Sequence, residues 1–186
     1  MARRAAGRGA TAGHHRRPHG AGRLTAPGVT TEGVRAAGGP IIRRAAIQDA
    51  VRLAELSSAL GYPAAAETIT ARLERLLQRA DDVIFVAEVP ASRVVGWLHG
   101  AEQELLESGR RCEILGLVVD AAHRGRGIGR LLVAAVETWA GARGLALVAV
   151  RSNVKRSESH PFYERLGYVK VKTQHAYRKR LSEPAS

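Results

Sequence analysis

"HRGRGIGRLL", residues 123–132, sets two arginines and three glycines within the six positions Arg124 to Gly129, and an aliphatic run follows at once. Ordered glycine carries an entropic cost, so such a cluster marks a backbone that bends sharply or lets another group come close. The preceding "CEILGLVVD" (112–120) is a β-rich run. The following "GRLLVAAVETWAGARG" (129–144) reads as a helix ending at Gly144, a residue suited to the left-handed position past a helix end. Strand, glycine turn and helix together bring backbone N–H groups and the positive helix end to an anion.

Several readings compete for the turn. A phosphate-binding P-loop needs G-x-x-x-x-G-K-[S/T], but Arg130 and Leu131 stand where that Lys and hydroxyl would be. A dinucleotide fingerprint needs G-x-G-x-x-G after the first strand of a βαβ unit and an acid after the second. Here the glycines are Gly125, Gly127 and Gly129, the strand before them is the fourth, and the next strand runs into Arg151. Glycines that only allow tight helix–sheet packing are a third reading. The pyrophosphate arm of coenzyme A is the fourth.

Outward from the turn, periodicity supplies the remaining elements. "PIIRRA" from residue 40 is a short strand. "IQDAVRLAELSSAL" (47–60) and "AAAETITARLERLLQRA" (64–80) have helical spacing, with Gly61 and Pro63 between them. "DVIFVAEV" (82–89) and "RVVGWLHGAE" (93–102) form a hairpin around "PASR". "LALVAV" (145–150) is a strand, "SESHPFYERLG" (157–167) holds a short helix, and "YVKVKTQHAYRKRL" (168–181) makes one or two closing strands. The order β-α-α-β-β-β-α-β-α-β implies an α+β fold, a mixed central sheet with helices on both faces.

The residues at the turn carry a resemblance. Arg124-Gly125-Arg126-Gly127-Ile128-Gly129 fits [Q/R]-x-x-G-x-[G/A] at every fixed place. "EILGLVV" before it resembles the central strand, and "FYERLGY" (162–168) the closing segment, of the GNAT superfamily of acyl-CoA-dependent N-acetyltransferases. The resemblance spans residues 41–181 in element order. It implies the GNAT fold, acetyl-CoA as co-substrate without a metal, and transfer of acetyl to a primary amine of a small molecule or peptide through a direct ternary complex. Within the same fold, a non-catalytic acyl-CoA sensor or an acetyltransferase acting on protein lysines or N-termini is the alternative.

By position the resemblance assigns the acetyl-polarising strand amides to Leu117, Val118 and Val119, with Gly116 permitting an irregularity just before them. Amides from Arg124 through Gly125, Arg126, Gly127, Ile128 and Gly129 to Arg130 would hold the pyrophosphate, with the Arg126 and Arg130 side chains as auxiliaries. Tyr163 would protonate the departing thiolate, as a phenol of pKa ~10 is able to do. Glu113, six residues before Val119, is the candidate general base; an exposed carboxylate at a strand end is the other reading. Phe162 and Tyr168 belong to the core. Where most members carry an asparagine seven residues before this tyrosine, the chain has Arg156, and Asn153 is the nearest asparagine for the cofactor. For the acceptor, the resemblance points to "LGYPAAAE" (60–67), Trp97, His99 and the C-terminal strands. An acid-lined cleft from Glu102, Glu104 and Glu107 would suit polyamines or aminoglycosides, a solvated loop being the other reading.

Bulk properties bound the alternatives. The chain has 186 residues and a formal charge of +12, of which residues 1–40 carry +6 through seven arginines and one acid. Those forty residues hold nine of the 20 glycines and almost no large aliphatics, so they read as a disordered tail preceding a domain over 41–183. An initiation site near Val29 or Val34 is a sharper reading of the same stretch. The tail is Arg-rich like a mitochondrial presequence but lacks an apolar face, and no signal-peptide pattern is seen. Aromatic residues are 4%, and without interleaved aromatics or a helix-turn-helix no nucleic-acid module is indicated. No apolar run approaches the roughly 20 residues of a membrane span. Cys112 is the single cysteine, which fits a cytoplasmic protein. His99, His123 and His175 lack metal-ligand spacing, and a homodimer is compatible with all of this.

Overall fold

The computed structural model describes residues 34–35, 39–90, 93–155 and 159–181. They belong to a unit from Thr31 to Ser186; a separate unit, Met1–Thr30, lies outside the described residues. Most of the expected tail therefore lies outside them too. Val34–Arg35 (β1) are the exception: they pair antiparallel with Ile42 and Ile41, so the sheet begins ahead of residue 41.

β2 (Ile41–Arg44) leads through one 3-10 turn into α1 (Ala50–Ala59). Asp49 fixes that corner. Its carboxylate accepts the Ala46 N–H and two Arg43 guanidinium bonds, each at 2.8 Å. α1 stops where Gly61 turns left-handed at φ +92° and Tyr62 N–H returns to the Ser57 carbonyl. α2 (Ala66–Leu77) starts with Glu67 in its first turn and ends with Arg75 in its last, both signs matching the helix dipole. Then come β3 (Asp82–Val89), β4 (Arg93–Leu105), β5 (Gly109–Val119), α3 (Ile128–Ala142), β6 (Val148–Val150) and α4 (Ser159–Arg165). α3 closes as expected, with Gly144 at φ +71° and Leu145 N–H bonding back to the Ala140 carbonyl.

The sheet runs β1-β2-β3-β4-β5-β6, antiparallel except for the parallel β5–β6 pair. On one face Leu132, Val133 and Val136 of α3 pack against Val83, Leu98, Cys112 and Ile114. On the other, Leu53 and Leu56 of α1 and Leu73 of α2 pack against Ile84, Val86 and Val118. Each such aliphatic side chain, once buried, stabilises the fold by about 1.5–3 kcal/mol. The mixed sheet covered on both faces is the architecture expected from the element order.

The closing strands are not formed. Residues 169–181 hold no strand, and every one is exposed, including Val169 and Val171. Alternation of apolar and basic residues specifies which face a strand would bury, but a ladder also needs a partner for its backbone. β6, the sheet's last strand, is only three residues long.

Candidate active site

The site begins where two strands part. β5 and β6 pair only at Cys112–Val148, Glu113–Ala149 and Ile114–Val150. Beyond Ile114, β5 continues to Val119 while the chain after Val150 leaves the sheet. On the β4 side the register jumps: His99 pairs with Gly116 but Gly100 with Ile114, so Leu115 is the extra, bulged residue. Gly116 serves a neighbour as well, since a β-carbon there would lie 2.8 Å from the Trp97 indole.

The bulge decides which amides face the opening. Asp120 N–H bonds the Val95 carbonyl of β4. In an antiparallel ladder bonded and non-bonded pairs alternate, so Val118, opposite Trp97, also spends its backbone groups on β4. Leu117 and Val119, opposite Leu98 and Gly96, point theirs away from β4 toward the gap. Of the three strand residues singled out from the sequence, two therefore present free-edge amides and Val118 does not.

The glycine turn follows directly. Asp120 accepts the Ala122 N–H at 3.0 Å and pairs with Arg52 of α1, tethering that helix to the loop. The Ala122 bond holds the Asp120 carboxyl below the usual carboxylate range; burial pushes the other way, and Arg52 and His123 add to the lowering. Gly125 and Gly127 adopt φ +74° and +78°, which only glycine takes without strain. Gly127 is the N-cap of α3, and the first intrahelical bond runs from Leu131 N–H to its carbonyl. The amides from Gly127 to Arg130 thus have no acceptor within the helix. Gly129 differs from its two companions: a β-carbon there would lie 3.1 Å from the Phe162 ring, so this glycine answers to packing.

These pieces line one cleft of about 890 Å³. Its walls are Leu117–Val119, the turn and start of α3, the end of α1 at Ala59 and Leu60, and one face of α4. From α4 and the turn that ends it come Ser159, Phe162, Tyr163 and Leu166, spaced i, i+3, i+4, i+7 along one helical stripe. Tyr163 is half-buried there, edge-on to Phe162 at 5.0 Å and to Tyr168 at 5.6 Å. Tyr168 instead donates its hydroxyl to Glu137 at 2.9 Å; burial, and then that carboxylate, push its phenol well above the ordinary value. Among the described residues, the charged side chains on the cleft walls are Arg124, Arg130, Lys155 and Arg165, with His123, and no Asp or Glu is among them.

Other expected residues stand elsewhere. Arg126 does not line the cleft, and Arg124 turns its Nε back to the Val119 carbonyl at 3.1 Å. Asn153 is absent from the walls; its Oδ1 accepts the Lys155 N–H at 2.9 Å, and it is Lys155 that reaches the cleft. Arg156 lies outside the described residues. Glu113 is 4% exposed and is not part of the cleft wall. Arg151 Nε donates to its Oε1 at 2.7 Å and Arg111 to its Oε2 at 2.9 Å. The exposed strand-end reading of Glu113 is thus excluded. The acid-lined cleft is not formed: Glu102 is paired to Arg110 and Arg143, and neither Glu104 nor Glu107 reaches the walls. His99 bonds the buried Asp82 at 2.7 Å. Lys155 and Arg165 were missed by sequence reasoning. The α4 stripe was visible in the spacing from Ser159 to Leu166, whereas Lys155 had no signal beyond its charge.

Among the described residues no group of three or more His, Cys, Asp or Glu side chains could hold a metal, and no helix is long and apolar enough to cross a membrane. A splayed parallel strand pair and a glycine turn feeding a helix N-terminus thus meet along one basic cleft. The profile of the acetyltransferase (GNAT) family matches residues 50–168, and the chain belongs to that family.

Among its relatives is an uncharacterised N-acetyltransferase, YhdJ, of Bacillus subtilis strain 168. It is 29% identical over 105 residues, covering 55% of this chain and 72% of that protein. The fold is similar to that of the aminoglycoside 6'-N-acetyltransferase AAC(6')-Ih from Acinetobacter baumannii, with a TM-score of 0.69 at 18% identity over 77% of this chain and all of the other. It is also similar to AAC(6')-Iy solved with CoA, with a TM-score of 0.68 at 22% identity over 75% and 94% of the two chains.

Proposed function

We propose that the protein transfers an acetyl group from acetyl-CoA to a primary amine of a small molecule or peptide, in one ternary complex. The observation that carries this reading is the pairing of a cleft wall whose described charged side chains are all basic with backbone amides that have no acceptor within their helix. Four phosphate-compatible side chains and the α3 N-terminus suit the coenzyme's pyrophosphate, and the volume suits a molecule of its length. A solved AAC(6')-Iy complex with CoA on a similar fold agrees with it.

In this reading the amides of Gly125 to Arg130 grip the pyrophosphate. The Leu117 and Val119 N–H groups, aimed into the gap, hold the acyl arm and polarise its carbonyl where negative charge develops. Tyr163, on the cleft wall facing that strand, gives the departing thiolate its proton. Glu113 takes the proton from the acceptor ammonium on the α1/α2 side of the splay, directly or through water.

Acetyl-CoA at a hundredfold over its dissociation constant would stabilise the fold by about 2.7 kcal/mol. A rise in melting temperature with acetyl-CoA, followed by thiol release on adding an amine, is the expected result. No stabilisation by acetyl-CoA would overturn the assignment.

A further inference from the structure

Resting on that reading, we infer that the acceptor amine carries an anionic group, a carboxylate or a phosphate, and that Arg151 receives it while releasing Glu113. Arg151 stands immediately after β6, at the point where β5 and β6 part. Its side chain is 73% exposed although it grips the carboxylate of a side chain that is only 5% exposed. One end of the pair is thus anchored in the fold and the other is free to swing into solvent beside the splay.

Glu113 is doubly held. Arg111, 19% exposed, donates from its NH2 group to Oε2, and its own Nε is buried with no hydrogen-bond partner. Two guanidiniums against one carboxylate leave one net positive charge at the place where the acceptor must approach. An anion that draws Arg151 off Oε1 leaves the Glu113 carboxylate held by Arg111 alone.

The charges on the cleft that holds the thioester in this reading point the same way. Among the described residues, the cleft wall presents Arg124, Arg130, Lys155 and Arg165 and no acid. The other buried or half-buried acids in and next to the sheet are spent within the fold: Asp82 on His99 and Arg79, Glu88 on Arg43, Glu102 on Arg110 and Arg143, Asp120 on Arg52. None of these acids is left to receive a polycation. A bidentate guanidinium suits a planar carboxylate or a phosphate.

The test measures thiol release from acetyl-CoA with the standard L-amino acids, each paired with its α-carboxamide, with phosphoethanolamine, and with spermidine and kanamycin. The expected result is turnover confined to anionic amines, with kcat/KM favouring the best of them over its uncharged counterpart by about tenfold to a hundredfold. Amino acids against phosphoethanolamine distinguishes carboxylate from phosphate. In Arg151→Gln the preference should fall to near unity while acetyl-CoA still raises the melting temperature, and Arg151→Lys should restore part of it. Spermidine or kanamycin matching the best anionic amine, an undiminished preference in Arg151→Gln, or no anionic amine turned over by a protein that binds acetyl-CoA would each overturn the inference. Failure of the wild type to bind acetyl-CoA would instead overturn the function itself, and this inference with it.

Discussion

Gly129 and Phe162 meet directly: a β-carbon on residue 129 would lie 3.1 Å from the ring's Cζ and 3.2 Å from its Cε2. The start of α3 and the start of α4 are thereby fitted to one another across 33 residues of sequence. Because Tyr163 is the next residue on α4, this contact also sets where its phenol stands on the cleft wall.

The turn glycines should separate by substitution. Gly129→Ala pushes Phe162 aside, and overpacking of this kind costs about 1–3 kcal/mol. Turnover should fall with stability as Tyr163 shifts. Gly127→Val meets no atom within 4 Å but forces a β-branched residue to φ +78°. It should leave the core intact and abolish the thermal protection given by acetyl-CoA. Retained protection would return Gly127 to a packing role.

Tyr163→Phe should lower kcat by about a hundredfold or more, the range of a lost general acid, with acetyl-CoA affinity nearly unchanged. Tyr168→Phe is the control. It forfeits the hydrogen bond to Glu137, worth about 1 kcal/mol, and should lower the melting temperature without a comparable fall in kcat. Equal kcat values for the wild type and Tyr163→Phe would remove that residue's role.

Acid should unfold the protein through its arginine-paired carboxylates. Burial pushes the Asp49 carboxyl up, yet the Arg43 and Ala46 hydrogen bonds bring it below its ordinary value, and Glu102 is lowered likewise by Arg110 and Arg143. A depressed folded-state pKa contributes stability that is complete above the unfolded value, about 4, and fades as pH falls through the folded one. Denaturant midpoints should therefore be flat from pH 7 to about 5 and fall below about 4. Asp49→Asn should cost on the order of 2 kcal/mol at pH 7, short of a fully buried pair because Arg43 is partly exposed. It should also flatten the acid limb.

Cys112 is fully buried, and burial first, then Glu102 and Glu113, raise its thiol to about 11. It should not react with Ellman's reagent in the native protein at pH 8 and should react stoichiometrically in denaturant. The free thiol of the coenzyme can then be followed without a protein background.

Much of this was legible in the sequence because the signals were local. The apolar spacing of Leu53 and Leu56, the alternating strands, and the glycines at 125 and 127 each report on their own neighbourhood. What was not legible depended on distance. Nothing in "LGLVV" shows that the bulge at Leu115 turns the Leu117 and Val119 amides outward and leaves Val118 to β4, because that is set by register against β4. The clamp on Glu113 joins residues 38 apart in sequence, and a carboxylate read alone gives no hint of the arginine that holds it. The closing strands failed for the same reason, their alternation being plain while their partner was not.

The central claim is that backbone amides, rather than side chains, receive the coenzyme's phosphates and acyl arm. Amide chemical-shift perturbation during titration of the full chain with acetyl-CoA tests it most directly. Saturable shifts should concentrate at Leu117, Val119 and Gly125 to Arg130, with Val118 moving less than its two neighbours. Saturable binding that leaves those amides unmoved, or moves a different surface, would contradict it.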